Sequence, residues 1–415
     1  MESTIKTIIE TNALQQLPRF LSDRSGKALI VADQNTHLIA GVQVGAVLRE
    51  AGLAYQEIVL QRPQPLVPDE QALAEIQEII SPDIGVLLAV GSGTITDLTR
   101  FAGFKAGIPF ISLPTAPSMD GYASPVVALT LKGFKQTLSA APPIAIIADI
   151  GILKHAPSVM VQAGLGDLLG KYTSLADWEL GRIIEDENFS PQIADLVRDA
   201  VNRAIWSFTN DIPVEEKITN LAKALIMSGE AMLAWGNSRP ASGSEHHLAH
   251  YWEMETALKG KEDHPHGIKV GIAAVIVSDY YHRLSNLTIK EVEECVSNNR
   301  YESDTEYRNR IKTVFGPLAE IILSDLNGYY CDSVLRKKRQ IIIQNNWWLL
   351  KKMVKEKVPK PEEIKSILSQ TGAPLSPQEI GISTAELKLA LQNAKEVRKR
   401  YSVFRLAEDL GWRCL

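Results

Sequence analysis

The sequence predicts an α/β domain built on a parallel sheet, followed by a domain made of helices. In the first third of the chain, short apolar runs such as Lys27–Asp33 and Gly85–Val90 alternate with helix-like segments. This alternation is typical of a parallel sheet with helices on both faces. From about Pro157 onward, the apolar residues follow a helical period and few runs look like strands. We therefore expect an α/β domain over residues 1–156 and an all-helical domain over residues 157–415.

The strands expected in the α/β domain are short and apolar. A helical pattern follows the first of them at about residues 39–51, and Asp69 is placed to cap the helix after the proline-rich loop at 61–68. The predicted strands are Lys27–Asp33, Tyr55–Leu60, Gly85–Val90, Phe110–Leu113 and Ile144–Ala148. Between the last two, Val126–Ala140 holds two β-prone runs separated by Gly133, which predicts a hairpin inserted in this domain.

Length and composition exclude several classes of protein. The 415 residues carry a formal net charge of -5, so no basic field favours nucleic acid as a partner. The three cysteines, Cys295, Cys331 and Cys414, are scattered and lack CxxC spacing, which argues against disulfides and thiolate zinc sites. The first residues do not resemble a signal peptide, and no apolar run reaches the ~18–20 residues that span a bilayer. We expect a cytoplasmic protein.

A glycine-rich loop follows the third predicted strand. Gly91, Ser92 and Gly93 precede a helix expected to begin near Thr94. The free N–H groups and positive end of such a helix favour a pyrophosphate. The same residues also suit a plain tight turn, since the GxGxxG fingerprint is absent. On the residues alone, the two interpretations are equally supported.

Two aspartates stand near this loop in the predicted fold. Asp97 lies one turn into the helix, where we expect it to serve the turn and the helix dipole. Asp33 ends the first predicted strand and is a candidate to hold an adenosine ribose hydroxyl, as acids at strand ends do in dinucleotide folds.

Five of the eight histidines fall within Ser244–Gly267, which predicts a metal site. His246 and His250 are four residues apart and share a helix face. The spacing is that of HExxH, but His247 stands where a zinc protease has its glutamate, so a protease is disfavoured. His266 follows a loop with Gly260 and Pro265 and is expected at a helix start.

Two neutral imidazoles and one carboxylate suit a divalent zinc, nickel or iron ion. The best candidate for the acid is Asp167, which is expected to begin a helix after a turn containing Gly164 and Gly166. A carboxylate there is also a common helix cap. Three protein ligands would leave a position open for a substrate oxygen.

Five blocks between about residues 85 and 275 resemble the glycerol-1-phosphate dehydrogenase family. That family is part of a wider group with iron-containing alcohol dehydrogenases, glycerol dehydrogenases and dehydroquinate synthases. The blocks are GSGTITDLTRF, SLPTAPSMDGYASP, GLGDLLGKYTSLADW, SGSEHHLAH and HGIKVGIA. PTAPSMDGYAS (Pro114–Ser124) is the most specific, because long-chain alcohol dehydrogenases tend to have a PTTAGTGSE-like run there. Dehydroquinate synthases tend to have glutamate at the position of Asp167.

The resemblance implies a Rossmann-like N-terminal domain and a helical C-terminal domain, with the active site in the cleft between them. It implies that Asp167, His246 and His266 hold the metal, which is zinc in archaeal members and nickel in bacterial members similar to this chain. Asp120, Asp167 and His250 match substrate-contacting and catalytic positions. The positions that match cofactor contacts are Gly91, Ser92, Gly93, Thr94, Ile95, Thr115, Ala116, Pro117, Ser118 and Ser124.

The implied activity is the reversible reduction of dihydroxyacetone phosphate to sn-glycerol 1-phosphate with NADH or NADPH, for phospholipid or ether-lipid synthesis, by a homodimer or higher homo-oligomer. His247 and His264 are alternative imidazoles next to the matched ligands. Other enzyme classes considered are a sugar-phosphate cyclase resembling dehydroquinate synthase and a glycerol or polyol dehydrogenase. A regulatory protein with a retained cofactor pocket is disfavoured by the complete set of acid and histidines.

Overall fold

The computed structural model describes residues 5–131, 134–260, 264–326, 329 and 332–412. Within those ranges, no helix combines the length and the apolar character needed to cross a membrane. Cys295 is a free thiol. Cys331 and Cys414, and Gly133 at the expected hairpin tip, lie outside the described residues.

A parallel sheet of six strands forms the N-terminal part and confirms the expected fold class. The strands are β1 (Lys6–Glu10), β2 (Lys27–Asp33), β3 (Tyr55–Leu60), β4 (Ile84–Gly91), β5 (Phe110–Pro114), β6 (Val126–Leu131), β7 (Phe134–Ser139) and β8 (Ala145–Asp149). The sheet order is β1-β8-β5-β4-β2-β3, and β6 and β7 form the expected antiparallel hairpin. β1 is absent from the sequence-based prediction, because KTIIE is a short edge strand whose residues are exposed or half-buried.

The strand order reverses between β2 and β4. These strands are neighbours, with Val31 paired to Ala89, while β3 lies outside β2 and β5 lies beyond β4. Ligands of open α/β sheets bind outside the carboxyl ends of the strands at such a switch point. Asp33 and Gly91 end the two strands that flank it. The loop predicted to hold a pyrophosphate is therefore at the favoured edge.

Helices cover both faces of the sheet and make up the rest of the chain. The helices are α1 (Gln34–Thr36), α2 (Val42–Glu50), α3 (Glu70–Ile79), α4 (Gly93–Ala106), α5 (Ile150–Leu153), α6 (Ser158–Glu185), α7 (Pro191–Thr209), α8 (Val214–Trp235), α9 (Ser244–Lys259), α10 (His266–Asn286), α11 (Ile289–Asn298), α12 (Asp304–Phe315), α13 (Ala319–Leu326), α14 (Ser333–Asn345), α15 (Trp347–Lys357), α16 (Pro361–Ser369), α17 (Thr384–Asn393) and α18 (Val403–Leu410). Asp69 caps α3 as expected, because its side chain accepts from the Ala72 N–H.

The central strand β4 shows how the two faces are buried. Leu88 packs in one apolar cluster with Val44 of α2, whereas Leu87 packs in another with Leu98 of α4. Consecutive side chains of a strand point to opposite faces, so both clusters draw on the same apolar run. A parallel sheet covered on both faces needs such continuous apolar strands.

Helix α6 corrects one expectation from the sequence. It runs from Ser158 to Glu185, so Asp167 lies within the helix and not at its start. Gly164 and Gly166 are helical, and close packing explains them where a turn was expected. A Cβ on Gly166 would lie 2.2 Å from the carbonyl oxygen of Gly267 in α10. The two helices cross backbone to backbone, which places Asp167 of α6 beside the first turn of α10.

Candidate metal and nucleotide site

Three helices bring one carboxylate and two imidazoles together. Asp167 of α6, His246 of α9 and His266 of α10 each offer a ligand atom, and these atoms lie within 4.8 Å of one another. Oδ1 of Asp167 lies 3.4 Å from Nε2 of His246. Ligands that bind one tetrahedral cation at about 2.0–2.2 Å lie roughly 3.3–3.6 Å apart. The three ligand atoms are therefore close enough together to be candidates for holding one cation.

Glu245 orients the His246 ring. Its fully buried carboxylate places Oε1 2.7 Å from Nδ1 of His246, while Oε2 accepts a 2.7 Å hydrogen bond from Thr173. A carboxylate on one ring nitrogen sets the tautomer and leaves the other nitrogen to a metal. Nε2 of His246 therefore faces Asp167, 3.4 Å from its Oδ1.

Glu253 serves two rings at once. Its Oε1 lies 2.8 Å from Nδ1 of His266, and its Oε2 lies 3.0 Å from Nδ1 of His250. The two imidazoles stack with their centroids 5.1 Å apart. Lys269 lies 3.2 Å from the same carboxylate and compensates its charge. His250 is thus held beside His266, one of the three candidate metal ligands, through Nδ1. Its Nε2 takes no part in the contact with Glu253.

Asp120 connects the edge of the sheet to the three candidate metal ligands. It follows β5, and its N–H donates a 3.0 Å hydrogen bond to Oδ2 of Asp167. Its carboxylate accepts from Ser228 and lies 2.8 Å from Nζ of Lys171. Lys171 also lies 2.9 Å from Oδ1 of Asp167 and donates to the carbonyl oxygen of Ala241. The two aspartates share one buried ammonium.

The charges in this cluster stabilise one another. Burial opposes ionisation of Asp167, but Lys171 and His246 outweigh it and hold its pKa well below the usual range. Burial likewise opposes the charge on Lys171, yet the attraction of Asp120 and Asp167 raises its pKa. For His246, the hydrogen bonds with Asp167 and Glu245 outweigh burial and raise the pKa. The carboxylates thus favour a positive charge at the point where the three ligand atoms meet.

The alternative histidines lie apart from the ligand group. His247 is fully buried, burial holds its pKa well below the usual range, and neither ring nitrogen has a hydrogen-bond partner in the described part of the chain. His264 lines a separate cavity with Trp252 and Glu379. Neither joins a group of potential metal ligands among the described residues.

The loop between β4 and α4 has the features of a phosphate cradle. Ser92 is the N-cap of α4, and in the described structure its side chain makes no capping hydrogen bond. The first N–H groups of α4 are therefore left to solvent or a ligand. A Cβ on Gly93 would lie 2.8 Å from Sδ of Met119, and one on Gly91 would lie 2.6 Å from Cβ of Ile95. A side chain at residue 91 would therefore displace the Ile95 side chain, and one at residue 93 would displace the Met119 thioether.

The other residues expected to contact the cofactor differ in how exposed their side chains are. The Ile95 side chain packs in the sheet core, so only its backbone can face a nucleotide, whereas Thr94 is half-buried. Beyond β5, Thr115 donates its N–H to the carbonyl oxygen of Gly91. Ser124 accepts from the N–H of Val126. The remaining members of this block are Ala116, which is buried, Pro117, whose carbonyl oxygen faces Gly164, and Ser118, whose hydroxyl is 3.4 Å from that of Tyr122.

The two acids near the switch point have distinct structural partners. Asp33 caps α1 by accepting from the N–H of Thr36. Asp97 pairs with Arg100 at 3.1 Å and accepts from the N–H of Ala128 in the hairpin. Asp97 thus has structural partners, but these are Arg100 and the hairpin and not the turn or the helix dipole that the sequence suggested.

Comparison with known proteins identifies the family of this chain. A family model described as iron-containing alcohol dehydrogenase matches residues 8–157. A glycerol-1-phosphate dehydrogenase [NAD(P)+] from Halalkalibacterium halodurans is 34% identical over 394 residues, which cover 94% of this chain and 88% of the relative. This chain belongs to the glycerol-1-phosphate dehydrogenase family. A member from Pyrococcus horikoshii is 34% identical over 313 residues, covering 71% of this chain and 84% of the relative.

Solved structures more distant than the glycerol-1-phosphate dehydrogenase family share the fold. The glycerol dehydrogenase from Schizosaccharomyces pombe aligns with a TM-score of 0.62 at 15% identity, covering 99% of this chain and 89% of that one. An iron-containing alcohol dehydrogenase aligns with a TM-score of 0.58 at 12% identity, covering 100% and 99%. At such identities the likeness concerns the fold alone.

In this member of the glycerol-1-phosphate dehydrogenase family, sequence reasoning missed three buried charged residues beside the site. Lys171 stands four residues after Asp167, a spacing that places both on one helix face. Glu253 stands three residues after His250 and could have been found in the same way. Glu245 directly precedes His246, and no helical spacing rule indicates its contact.

Proposed function

We propose that this chain reversibly reduces dihydroxyacetone phosphate to sn-glycerol 1-phosphate, using NADH or NADPH and a divalent cation. The observation that carries the proposal is the hydrogen bond from the Asp120 N–H to Asp167, because it joins the nucleotide edge of the sheet to the candidate metal ligands. The substrate pair rests on the resemblance and on the names of the relatives.

The metal would be held by Asp167, His246 and His266. Two imidazoles and a carboxylate suit nickel or zinc, and these are the ions we propose. When bound, the cation polarises the ketone oxygen and the reduced nicotinamide supplies hydride to the carbonyl carbon. Glu245 and Glu253 hold the two rings so that Nε2 of each is available.

The reduction also needs a proton on the former carbonyl oxygen, and His250 is the residue we propose to relay it. Glu253 holds its Nδ1, so Nε2 can give or take a proton, directly or through water. Asp120 is less suited, because its Oδ2 already accepts from Ser228 and pairs with Lys171. We propose that Asp120 positions Asp167 and the substrate.

The nucleotide would lie along the loop and block described above. The backbone of Gly91–Ile95 would bind the pyrophosphate at the N-terminus of α4. Residues 1–156 would then form the nucleotide-binding domain and residues 157–415 the metal- and substrate-binding domain, in a cytoplasmic homodimer or higher homo-oligomer. Light scattering during gel filtration tests the oligomer.

The test is an absorbance assay of NADH oxidation with dihydroxyacetone phosphate, using protein stripped of metal and then loaded with nickel or zinc. We expect turnover only in the loaded samples and sn-glycerol 1-phosphate on chiral analysis. A metal-loaded protein that oxidises no NADH or NADPH with this substrate contradicts the proposal.

The same assay separates the alternatives. A sugar-phosphate cyclase would regenerate its cofactor and consume no net NADH, and Asp167 stands where such enzymes tend to have glutamate. A polyol dehydrogenase would reduce dihydroxyacetone at least as well as its phosphate. We expect net NADH consumption and a clear preference for the phosphate.

A further inference from the structure

Arg398 lies between the two parts of the molecule, close to the histidine cluster. Its Nη2 donates a 2.9 Å hydrogen bond to Oγ1 of Thr137 in the β6–β7 hairpin. Its Nη1 donates a 3.1 Å hydrogen bond to Oγ of Ser238, between α8 and α9. Arg398 also interacts electrostatically with His250 and Glu253 of α9, so it lies within the electrostatic range of the candidate site.

The charge of Arg398 is not neutralised locally. Both of its side-chain partners are hydroxyl groups, and within the described residues no carboxylate lies at ion-pair distance. The nearby carboxylate of Glu253 is already shared by His250, His266 and Lys269. Burial lowers the pKa of Arg398, and only the attraction of Glu253 opposes this effect. Arg398 is half-buried, and even a partly desolvated guanidinium is destabilising without an anion.

Ser238 can add its hydroxyl to the hydrogen-bond donors that Arg398 offers to a ligand. Its Oγ accepts from Arg398 at 3.1 Å and from Arg400 at 2.9 Å. Because the oxygen accepts two hydrogen bonds, its own hydrogen is left to donate. The planar guanidinium of Arg398 can exchange its two weak hydroxyl acceptors for two oxygens of one anion, which is the geometry arginine prefers with phosphate.

We propose that Arg398, with Ser238, binds the phosphate monoester of the substrate. This inference rests on the proposed function, because it supplies the anion site that a phosphorylated three-carbon ketone needs beside the metal. It also assigns a role to the hairpin: Thr137 holds the guanidinium in place when the site is empty.

The test compares Arg398→Gln with Lys399→Gln, a control that removes the neighbouring exposed charge. For Arg398→Gln, we expect KM for dihydroxyacetone phosphate to rise roughly tenfold to a hundredfold, as charge-assisted hydrogen bonds predict. The rate with dihydroxyacetone should change little. Arg398→Lys should recover part of the loss, and Lys399→Gln should behave as the wild type.

Two results would overturn the inference: an unchanged KM for the phosphate, or an equal loss with both substrates, which indicates a structural role. Calorimetric titration with inorganic phosphate gives a readout independent of turnover, and we expect weaker binding to Arg398→Gln than to the wild type. If the wild type reduces neither substrate, the proposed function fails, and the titration alone decides whether Arg398 binds phosphate. Equal phosphate binding by both proteins would then refute the site.

Discussion

The carbonyl oxygen of Pro117 lies 1.9 Å from the position that a Cβ on Gly164 would occupy. The loop after β5 therefore rests directly on the backbone of α6, three residues before Asp167. Asp120 belongs to the same loop and donates its N–H to Asp167. Because residue 164 is glycine, the edge of the sheet can come into contact with the helix that carries the candidate metal ligand Asp167.

Gly164→Ala tests this contact. Alanine normally stabilises a helix interior relative to glycine by about 1 kcal/mol. Here the clash is with backbone, so we expect a net destabilisation of about 1–3 kcal/mol and a loss of activity as the Asp120 loop shifts. Chemical denaturation and kcat measure the two effects. Val159→Ala, at an exposed position of the same helix, is the control. A Gly164→Ala protein as stable and active as the wild type would be inconsistent with the close packing.

Removal of one proposed metal ligand should abolish metal binding. We expect His246→Ala to retain far less nickel or zinc after gel filtration and to lose turnover, because it loses the Nε2 atom that faces Asp167. Elemental analysis measures the metal directly. The control is His264→Ala, which removes an imidazole near His266 that is outside the ligand group. Full metal content in His246→Ala would show that the ligands are wrongly assigned.

Glu253→Gln should weaken metal binding without removing a ligand. An amide can accept from one ring nitrogen but cannot serve both His250 and His266 as the carboxylate does. Loss of such a partner typically reduces metal affinity about 10–100-fold. Competition with a chromogenic chelator measures the affinity. Glu255→Gln, on the same helix, removes a carboxylate that pairs with Lys259 and should leave the affinity unchanged.

Gly93→Val should impair nucleotide binding. The added side chain would meet Sδ of Met119 and push the Met119–Asp120 segment or the loop out of position. We expect at least a roughly tenfold weaker Kd for NADH, which corresponds to about 1.4 kcal/mol, measured by fluorescence titration. Lys105→Ala, at the opposite end of α4, is the control. Unchanged NADH affinity would show that the nucleotide does not bind at this loop.

Asp177→Asn should destabilise the helical part. Oδ1 of Asp177 accepts from Tyr281 and from the N–H of Val403, while Oδ2 accepts from the N–H of Ser244 at the start of α9. An amide has one oxygen, so its NH₂ group would face a donor. We expect a loss of about 1–3 kcal/mol in the free energy of unfolding. Asp195→Asn, at an exposed position of α7, should cost little, and similar stabilities for both variants would contradict the role of Asp177.

The strands could be predicted from the sequence because their apolar runs are short and end at turn-forming residues. Lys6–Glu10 could not, since an edge strand buries too little to show a pattern. The predicted start of α6 was wrong because the glycines at 164 and 166 resemble those of a turn. Their presence is explained by the close approach of Pro117 and Gly267. Local sequence does not contain that information.

Prediction of the candidate site from the sequence was limited in the same way. The proposed ligands could be predicted because crowded histidines together with an acid are typical of a metal site. Glu245 could not, because its contact follows from no helical spacing, and the spacing of Glu253 indicates its contact with His250 but not the one with His266. Arg398 is far along the chain from the histidines, and its partner Thr137 is 261 residues away. Such contacts exist only in the folded chain.

The shared carboxylate of Glu253 makes His250 and His266 thermodynamically dependent on each other. Replacing either ring frees one oxygen of Glu253 and changes the field at the other ring, so a double-mutant cycle should show an interaction energy well above the additive limit for separate sites. The proposed relay His250 and the proposed ligand His266 should therefore behave as one unit, so that a substitution of one during evolution has consequences for the other.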